Sequence, residues 1–501
     1  MEKKYVIDRN SSCEFVNHVD ECVGTGRMGL ALQKEYMEQL KLAQEEVGFR
    51  YIRGHGLFAD DMAIYHEYTD SDGNAKVEYN FTYLDLVMDN YKSVNIRPFL
   101  ELGFMPKQLA SGDQTIFYWK GNTTPPKSYD KWCDLVVATL THLGERYGMD
   151  EVVTWPIEVW NEPNLPGFWK DADMQEYFVL FEKTFRAIKK LDSRFRIGGP
   201  AICGVEDGKH MKDFMEYITE HKIPVDFITR HHYTSEFPDF TGHYSYIELV
   251  ELHESMESVE RSRRIIDSYQ EYKGLQMHIT EFNTSYVPDA PIHDTNQNAA
   301  YLASLLAIFG DTCESYSYWT FGDIFEERGV PFTPFYGGFG MIANGGIRKP
   351  SLYAFKFFKQ LQGKCVLKEE DAVMCLGDDG VYRAVLFNSN INRTGEKRNI
   401  NLSIAADSGR YFCITKTVDE NTCNPLKVWH DMGEPSSLSA EQLKLLKESD
   451  SPLVNTWNVT TDNNNLSVNI EVEEFGLIYL EIRPAELKPD RGYDYNRAIR
   501  A

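Results

Sequence analysis

The sequence predicts an α/β fold in two parts, a (β/α)8 TIM barrel followed by a C-terminal antiparallel β-sandwich. From about residue 33 to residue 361, helical patterns alternate with short apolar runs, which is typical of a parallel sheet covered by helices. After residue 361 the runs become short and alternating, and Asp-Gly and Asn-rich turns separate them, which indicates antiparallel strands. The 501 residues exceed the size of a single core and accommodate both parts.

Seven apolar runs in the first part are predicted to be barrel strands: Phe49–Arg53, Ile96–Leu102, Ile157–Asn161, Phe195–Pro200, Phe227–Tyr233, Gln276–Glu281 and Ser315–Phe321. An eighth strand is needed to close the barrel, and we expect it within Phe15–Val23. Helical patterns lie at Leu32–Glu46, Asp130–Tyr147, Met174–Leu191, Ser255–Tyr272 and Asn296–Phe309. Eight strand and helix units fit a barrel of this length with insertions.

Four runs in the second part are predicted to be sandwich strands: Val381–Phe387, Tyr411–Val418, Leu466–Val472 and Leu477–Ile482. We therefore divide the chain into a catalytic barrel at residues 1–360, a β-sandwich at 361–483 and a polar tail at 484–501. Residues 1–15 are expected either in the barrel or paired with the sandwich. The tail is charged and poor in aliphatic residues, so we expect it either to fray or to order against a neighbouring subunit.

The composition limits the kinds of binding partner and the cellular compartment that we expect for this protein. The 52 Lys and Arg residues against 76 Asp and Glu residues give a net charge of -24, which disfavours nucleic acid and anionic membranes as partners. The nine cysteines have neither a CxxC pair nor a zinc-ligand spacing, which indicates reduced thiols in a reducing compartment. No run has the length of a membrane span, and the first residues lack the apolar core of a signal peptide. We expect a cytoplasmic protein.

Two glutamates end apolar, strand-like runs. Glu162 is followed by Pro163, and Glu281 ends the run from Leu275. In a barrel of this kind, the active site lies at the face where the carboxyl ends of the strands meet. A facing pair of carboxylates is the minimum that an enzyme needs to cleave a glycosidic bond. Pro163 stops the strand ladder and predicts an extended backbone at Glu162. Glu158 faces the same side but lies deeper, so we expect it in a buried structural network.

Further motifs accompany the two glutamates: Gly24–Arg27, Phe49–Gly56, His231–Tyr233, Tyr318–Glu327, Thr333–Gly340 and Gly433–Pro435. With Trp160–Pro163 on the fourth strand and Thr280–Asn283 on the seventh, they resemble the retaining glycosidases whose two glutamates lie on strands four and seven. The resemblance is stronger to the β-xylosidases of glycoside hydrolase family 39, and it covers nearly the whole chain. It implies a double displacement with Glu281 as nucleophile and Glu162 as acid/base.

Other candidate site residues follow from position and from this resemblance. Alternation on the sixth strand places His231 and Tyr233 on one face, where Tyr233 can hydrogen-bond Glu281. A metal site at His231 and His232 is disfavoured because neighbours on a strand diverge, so we expect no metal and no cofactor. The further candidates for substrate binding are His55, Asn161, Tyr286, Trp319 as a platform under the sugar, and either Glu326 or Glu327. Phe117–Lys120 and Trp169 are expected on the leaving-group side.

These residues predict an exo-acting retaining β-D-xylosidase that releases xylose from the non-reducing end of short xylo-oligosaccharides. An α-L-iduronide or an arabinoside is an alternative substrate; Glu326, Glu327 and the acidic net charge disfavour a uronate, whereas Arg328 and Arg348 favour one. A non-catalytic sugar-binding protein is a second alternative, although such proteins usually lose one of the two carboxylates. The resemblance implies a homo-oligomer, either a tetramer or a dimer.

Overall fold

The computed structural model describes residues 1–331, 333–485 and 492–499. Its centre is a closed barrel of eight parallel strands, each paired with its neighbours in chain order, so the predicted α/β fold class is confirmed. Barrel strands 1 to 8 are Cys22–Arg27, Tyr51–His55, Arg97–Leu102, Pro156–Val159, Arg196–Ile202, Phe227–Tyr233, Met277–Asn283 and Ser315–Tyr318.

The first barrel strand is where the sequence prediction was wrong. It was expected within Phe15–Val23, but the strand begins at Cys22 and ends at Arg27. Glycine is a poor strand former, so Gly24 and Gly26 weaken the strand pattern at this point of the sequence. The structure explains Gly24, because a Cβ atom at this position would lie 2.6 Å from the ring of Trp319. The glycine therefore makes room for a large side chain at the barrel mouth.

Helices cover the outside of the barrel at Lys34–Glu46, Thr82–Ser93, Tyr129–Tyr147, Met149–Val152, Met174–Leu191, Asp207–Glu220, Leu252–Ser268, Asn296–Leu306 and Pro350–Lys359. The helix Met174–Leu191 shows why such segments are helical. Tyr177, Phe181 and Ile188 recur on its buried face, and the side chain of Asp173 accepts hydrogen bonds from the backbone N–H groups of the first turn. Short 3-10 helices lie at Met28–Leu32, Asp60–Met62, Lys170–Ala172, Pro291–Asp294 and Phe309–Asp311.

Hairpins interrupt the loops that follow barrel strands 2, 3, 6 and 8. Their strands are Tyr65–Thr69 with Ala75–Tyr79, Thr115–Ile116 with Gly121–Asn122, Asp239–Thr241 with Tyr244–Tyr246, and Ile342–Ala343 with Ile347–Arg348. Each hairpin follows the carboxyl end of a strand, so these insertions build up the wall around the barrel mouth.

The second part of the chain contains two sheets that enclose their own core. In spatial order, the six-stranded antiparallel sheet comprises Lys364–Glu369, Ala372–Leu376, Tyr382–Phe387, Leu477–Pro484, Arg410–Val418 and Leu453–Thr460. The three-stranded sheet comprises Glu2–Ile7, Arg398–Ala405 and Asn465–Val472. Glu2–Ile7 runs parallel to Arg398–Ala405, so the start of the chain pairs with the sandwich.

Two helices inserted in the sandwich, Pro425–Asp431 and Ala440–Glu448, connect it to the barrel mouth. Trp429 and Leu446 pack with Phe335, which lies in the long loop after barrel strand 8. Within the predicted tail, Pro484 still belongs to the last strand and Tyr495–Ile499 is a helix. Residues 486–491 and 500–501 of that tail lie outside the described residues.

All nine cysteines are free thiols. Across residues 1–331, 333–485 and 492–499, no helix combines the length and the apolar character that crossing a membrane requires.

Candidate active site

Glu162 and Glu281 lie side by side at the carboxyl-terminal mouth of the barrel. Glu162 lies three residues beyond strand 4, which ends at Val159, and Glu281 lies within strand 7. One carboxyl oxygen of each glutamate and a ring nitrogen of His231 all lie within 4.8 Å of one another. Nδ1 of His231 is 2.7 Å from Oε1 of Glu162 and 3.4 Å from Oε2 of Glu281. The two carboxyl groups therefore face a common space.

A buried arginine that the sequence did not single out organises this pair. Arg53, on strand 2, is fully buried, and its guanidinium donates three hydrogen bonds. They run from Nε to Oε2 of Glu158 at 2.7 Å, from Nη1 to Oε1 of Glu281 at 2.6 Å, and from Nη2 to Oδ1 of Asn161 at 2.8 Å. Glu158 also accepts a hydrogen bond from Thr280 at 2.8 Å, which places it in a buried network below the site.

The surroundings of the two glutamates differ. Burial raises the pKa of Glu162 well above its usual value, and the nearby charge of Glu281 raises it further. Burial also raises the pKa of Glu281, but Arg53 opposes this, and so does the hydroxyl of Tyr233, which donates a hydrogen bond to Oε2 at 2.8 Å. Of the two carboxyls, Glu162 therefore holds its proton more strongly than Glu281 does.

The backbone at Glu162 differs from the sequence expectation. Its φ is 43°, in the left-handed region, so the extended conformation predicted from Pro163 was wrong. The backbone N–H of Glu162 donates to the carbonyl of Ala201 on strand 5 at 2.9 Å, and its carbonyl accepts from the N–H of Leu165 at 3.0 Å. This tight turn, anchored on the neighbouring strand, holds the residue in an uncommon conformation.

His55, Trp319 and Glu327 converge on the space beside Glu281. Nε2 of His55 is 3.6 Å from Oε1 of Glu281 and 4.0 Å from Oε1 of Glu327. The rings of His55 and Trp319 are 4.7 Å apart. Burial raises the pKa of Glu327 well above its usual value, and the charges of Glu281 and Glu162 add to this effect. Glu327 therefore lies in the same cluster of carboxyl groups as Glu162 and Glu281.

The remaining sequence candidates take different positions. Glu326 accepts hydrogen bonds from Arg27 at 2.7 Å and from Gln33 at 3.2 Å, so its carboxylate is engaged outside the group around Glu281. Nδ2 of Asn161 is buried with no hydrogen-bond partner among the described residues, which leaves it for a ligand. The side chain of Tyr286 is 43% exposed, and its ring lies 6.4 Å from that of Tyr233, at the rim of the site.

Aromatic residues form the wall on the side of strands 3 and 4. Phe117 stacks on His55, with ring centroids 5.7 Å apart, and packs against Trp119 and Phe168. Trp169 was expected on this wall, but it is fully buried and packs on Trp160 at 4.9 Å, so that expectation was wrong.

The site also contains the one group of potential metal ligands that the described residues bring close together. It consists of Glu162, His231 and Glu281. A cation bound there would compete with Arg53, whose guanidinium already binds Glu281. What the arrangement offers directly is a carboxyl with a raised pKa, Glu162, that faces a carboxyl bound by a cation, Glu281.

Comparisons with known proteins agree with this geometry. The family model "Glycosyl hydrolases family 39" matches residues 4–465. The chain is 46% identical over 480 residues to a protein of Geobacillus stearothermophilus named β-xylosidase, and the alignment covers 95% of each chain. The structure resembles that of a GH39 enzyme from Xanthomonas axonopodis pv. citri, with a TM-score of 0.87, 30% identity, and coverage of 96% of this chain and 97% of that one. It also resembles a protein described as a monomeric β-xylosidase from Caulobacter crescentus CB15, with a TM-score of 0.86, 31% identity, and coverage of 97% and 100%.

Proposed function

The chain belongs to glycosyl hydrolases family 39 and is a glycoside hydrolase; from this membership we propose that it is a retaining β-D-xylosidase. We further propose that it removes xylose from the non-reducing end of short xylo-oligosaccharides. The observation that carries this proposal is the facing pair of Glu162 and Glu281 in unequal surroundings. The relatives named β-xylosidase support the choice of sugar.

In the proposed reaction, ionised Glu281 attacks the anomeric carbon of the glycone. Glu162 gives its proton to the leaving oxygen as the glycosidic bond breaks, and an ester between Glu281 and the sugar forms. The charge of Glu281 is consumed in that ester, so the pKa of Glu162 falls and it can take a proton from water. The water attacks the anomeric carbon and releases Glu281.

The separation of the carboxyls supports retention of the anomeric configuration. Retaining pairs are about 5–5.5 Å apart, whereas inverting pairs are about 6.5–9.5 Å apart to leave room for a water. Oxygen atoms of Glu162 and Glu281 lie within 4.8 Å of each other, which fits the retaining geometry.

The residues around Glu281 support recognition of a single terminal sugar. Trp319 offers a ring face under the glycone, while His55, Glu327 and Asn161 present polar atoms for its hydroxyls. The side chains of His55 and Trp319 are almost fully buried, and we propose exo action because the groups gathered around Glu281 suffice for one sugar unit. Between the two candidates at 326 and 327, we assign the sugar contact to Glu327.

The positions of the cations disfavour a uronate as the glycone. A sugar carboxylate needs a cationic partner. Arg328 is half exposed and paired with Asp289 at 2.6 Å, and Arg348 donates to Glu46 at 2.9 Å. Arg53 is already engaged by three acceptors. A neutral pentose therefore fits better than an iduronide.

A 2-fluoro-xyloside with a good leaving group tests substrate, mechanism and nucleophile together. We expect it to label Glu281, as peptide mapping would show, and we expect Glu281→Gly to abolish both labelling and turnover. NMR of the first product should show the β-anomer of xylose. A label on another residue would refute the assignment of the nucleophile, and faster hydrolysis of an aryl iduronide or arabinoside than of the xyloside would refute the choice of sugar.

A further inference from the structure

Another buried carboxyl lies next to the paired glutamates. Glu101 projects from barrel strand 3, and its side chain is fully buried. Its Oε2 is 2.7 Å from Nδ1 of His55, and its Oε1 has no hydrogen-bond partner among the described residues. The guanidinium of Arg53 is 2.9 Å from Oε2, but its hydrogen bonds go to Glu158, Glu281 and Asn161. Oε2 of Glu101 therefore has two close polar neighbours, the Arg53 guanidinium and Nδ1 of His55, and its hydrogen bond is with His55.

The surroundings of Glu101 favour its neutral form. Arg53 and His55 face it from strand 2, Glu158 and Glu162 come from strand 4 and its following turn, and Glu281 comes from strand 7. Arg53 is the one cation that hydrogen-bonds to these carboxyls among the described residues. Burial raises the pKa of Glu101 to about 8, although Arg53 opposes this. An unpaired oxygen is also less costly in a neutral acid than in a carboxylate.

His55 connects Glu101 to the substrate. Burial lowers the pKa of His55 to about 3, so its ring is neutral and carries a single N–H. Its Nε2 faces Glu281 at 3.6 Å and Glu327 at 4.0 Å. A lone pair on Nε2 would face these oxygen atoms unfavourably, whereas an N–H would be attracted to them. The ring therefore favours the tautomer with the proton on Nε2.

We propose that Glu101 is a positioning residue that acts through His55: as a neutral carboxylic acid it donates its O–H to Nδ1, and so fixes the tautomer in which Nε2–H of His55 donates to the glycone. The proton is not transferred during the reaction. Glu101 selects which ring nitrogen is the donor, in the way that a hydrogen bond to one imidazole nitrogen sets the role of the other. This inference rests on the proposed function for the nature of the glycone.

Kinetics on an aryl β-xyloside test this role with two variants of similar size. Glu101→Met cannot hydrogen-bond to His55, and we expect it to raise KM about tenfold while kcat stays within about threefold. Glu101→Gln can donate its amide N–H to Nδ1, so it should restore most of the affinity. In a His55→Ala background, the additional Glu101→Met change should leave KM unchanged. A further rise of KM in that background would overturn the proposal.

The pH profile separates this role from a purely structural one. As pH rises through about 8, Glu101 loses its proton, accepts from Nδ1–H and leaves a lone pair on Nε2. The KM of the wild type should therefore rise above that pH, and the KM of Glu101→Gln should not. Equal pH dependence of KM in the two proteins would overturn the proposal.

NMR of enzyme containing ¹⁵N-labelled histidine reports the tautomer without substrate. The His55 signals, assigned by comparison with His55→Ala, should show a protonated Nε2 in the wild type near neutral pH, and the Nδ1 signal should shift in Glu101→Met because Nδ1 loses its hydrogen bond. A proton on Nδ1 in the wild type would overturn the proposal. Failure of the wild type to hydrolyse a β-xyloside would instead refute the proposed function, and the tautomer measurement would still stand.

Discussion

Replacing Arg53 with Met is the sharpest test of how the barrel centre is built. Arg53 is fully buried and donates three hydrogen bonds of 2.6–2.8 Å. Met fills much of the same volume but leaves Glu158 and Glu281 buried without a cation. Removing one partner of a buried ion pair costs about 3–5 kcal/mol, because the remaining charge stays desolvated. We expect the free energy of unfolding of the barrel to fall by that amount, measured as a lower denaturation midpoint.

The same substitution should change the pH dependence of activity in a defined direction. Arg53 lowers the pKa of Glu281 against the effect of burial, so its removal raises that pKa. A cation next to a carboxylate lowers its pKa by about 1–3 units, and the acidic limb of kcat/KM should move to higher pH by the same amount. At a fixed pH below the new limb, fewer molecules carry an ionised nucleophile. The rate there should fall by about 10- to 1000-fold.

The assay is the pH profile of kcat/KM on an aryl β-xyloside, with Arg53→Lys as the matched control. Lys keeps the positive charge but cannot direct three N–H groups in a plane. We expect its acidic limb to stay near that of the wild type, while kcat falls because Glu281 and Asn161 are held less rigidly. An acidic limb in Arg53→Met that coincides with the wild type would refute the view that Arg53 controls the ionisation of Glu281.

Three further outcomes follow from the structure, and a fourth, the oligomeric state, follows from the family resemblance. Glu162→Ala should lower kcat by about 10²- to 10⁴-fold on xylobiose but much less on an aryl xyloside with an activated leaving group, and equal losses on both would exclude an acid role. Glu327→Gln should raise KM for the xyloside about tenfold more than Glu326→Gln, because only the former side chain faces Glu281; the reverse order would exclude the assignment. Lys349→Met should destabilise the fold by about 3–5 kcal/mol in a denaturation experiment, because the buried ammonium lies 2.6 and 2.5 Å from two buried aspartates; an unchanged midpoint would contradict this. Light scattering should give the mass of a dimer or tetramer, and a mass of 57.8 kDa would show a monomer.

The fold could be predicted from the sequence wherever strands are buried on both faces. Strand 7, which contains Glu281, is buried along its whole length, and runs of strand-forming residues of this kind identify the strands of a parallel barrel. Strand 1 has no such run, because it contains Gly24. A glycine is required there because the ring of Trp319, which follows barrel strand 8, packs against this position. The pairing of Glu2–Ile7 with Arg398–Ala405 is likewise set by residues almost 400 positions away, which local patterns do not encode.

Some residues of the candidate site could likewise be predicted from the sequence, and others could not. Glu162 and Glu281 could be found because Glu162 follows shortly after a recognisable strand and Glu281 lies in the carboxyl-terminal half of another. Arg53 and Glu101 were missed as site residues because each lies within a strand and no neighbouring motif marks it. Their contacts depend on which side chains from strands 2, 3, 4 and 7 point to the barrel axis at the same level, and only the register between strands determines that.

The position of each carboxyl relative to Arg53 accounts for its role. Arg53 donates a hydrogen bond to Glu281 but to neither Glu162 nor Glu101. One guanidinium cannot compensate every carboxyl in a space that excludes water, so protons stay on the carboxyls to which it donates no hydrogen bond. Glu162 and Glu101 then become donors, the former toward the leaving oxygen and the latter toward His55. A single buried cation thus distinguishes Glu281, to which it donates a hydrogen bond, from Glu162 and Glu101, which explains why similar carboxyl groups in one site can have different roles.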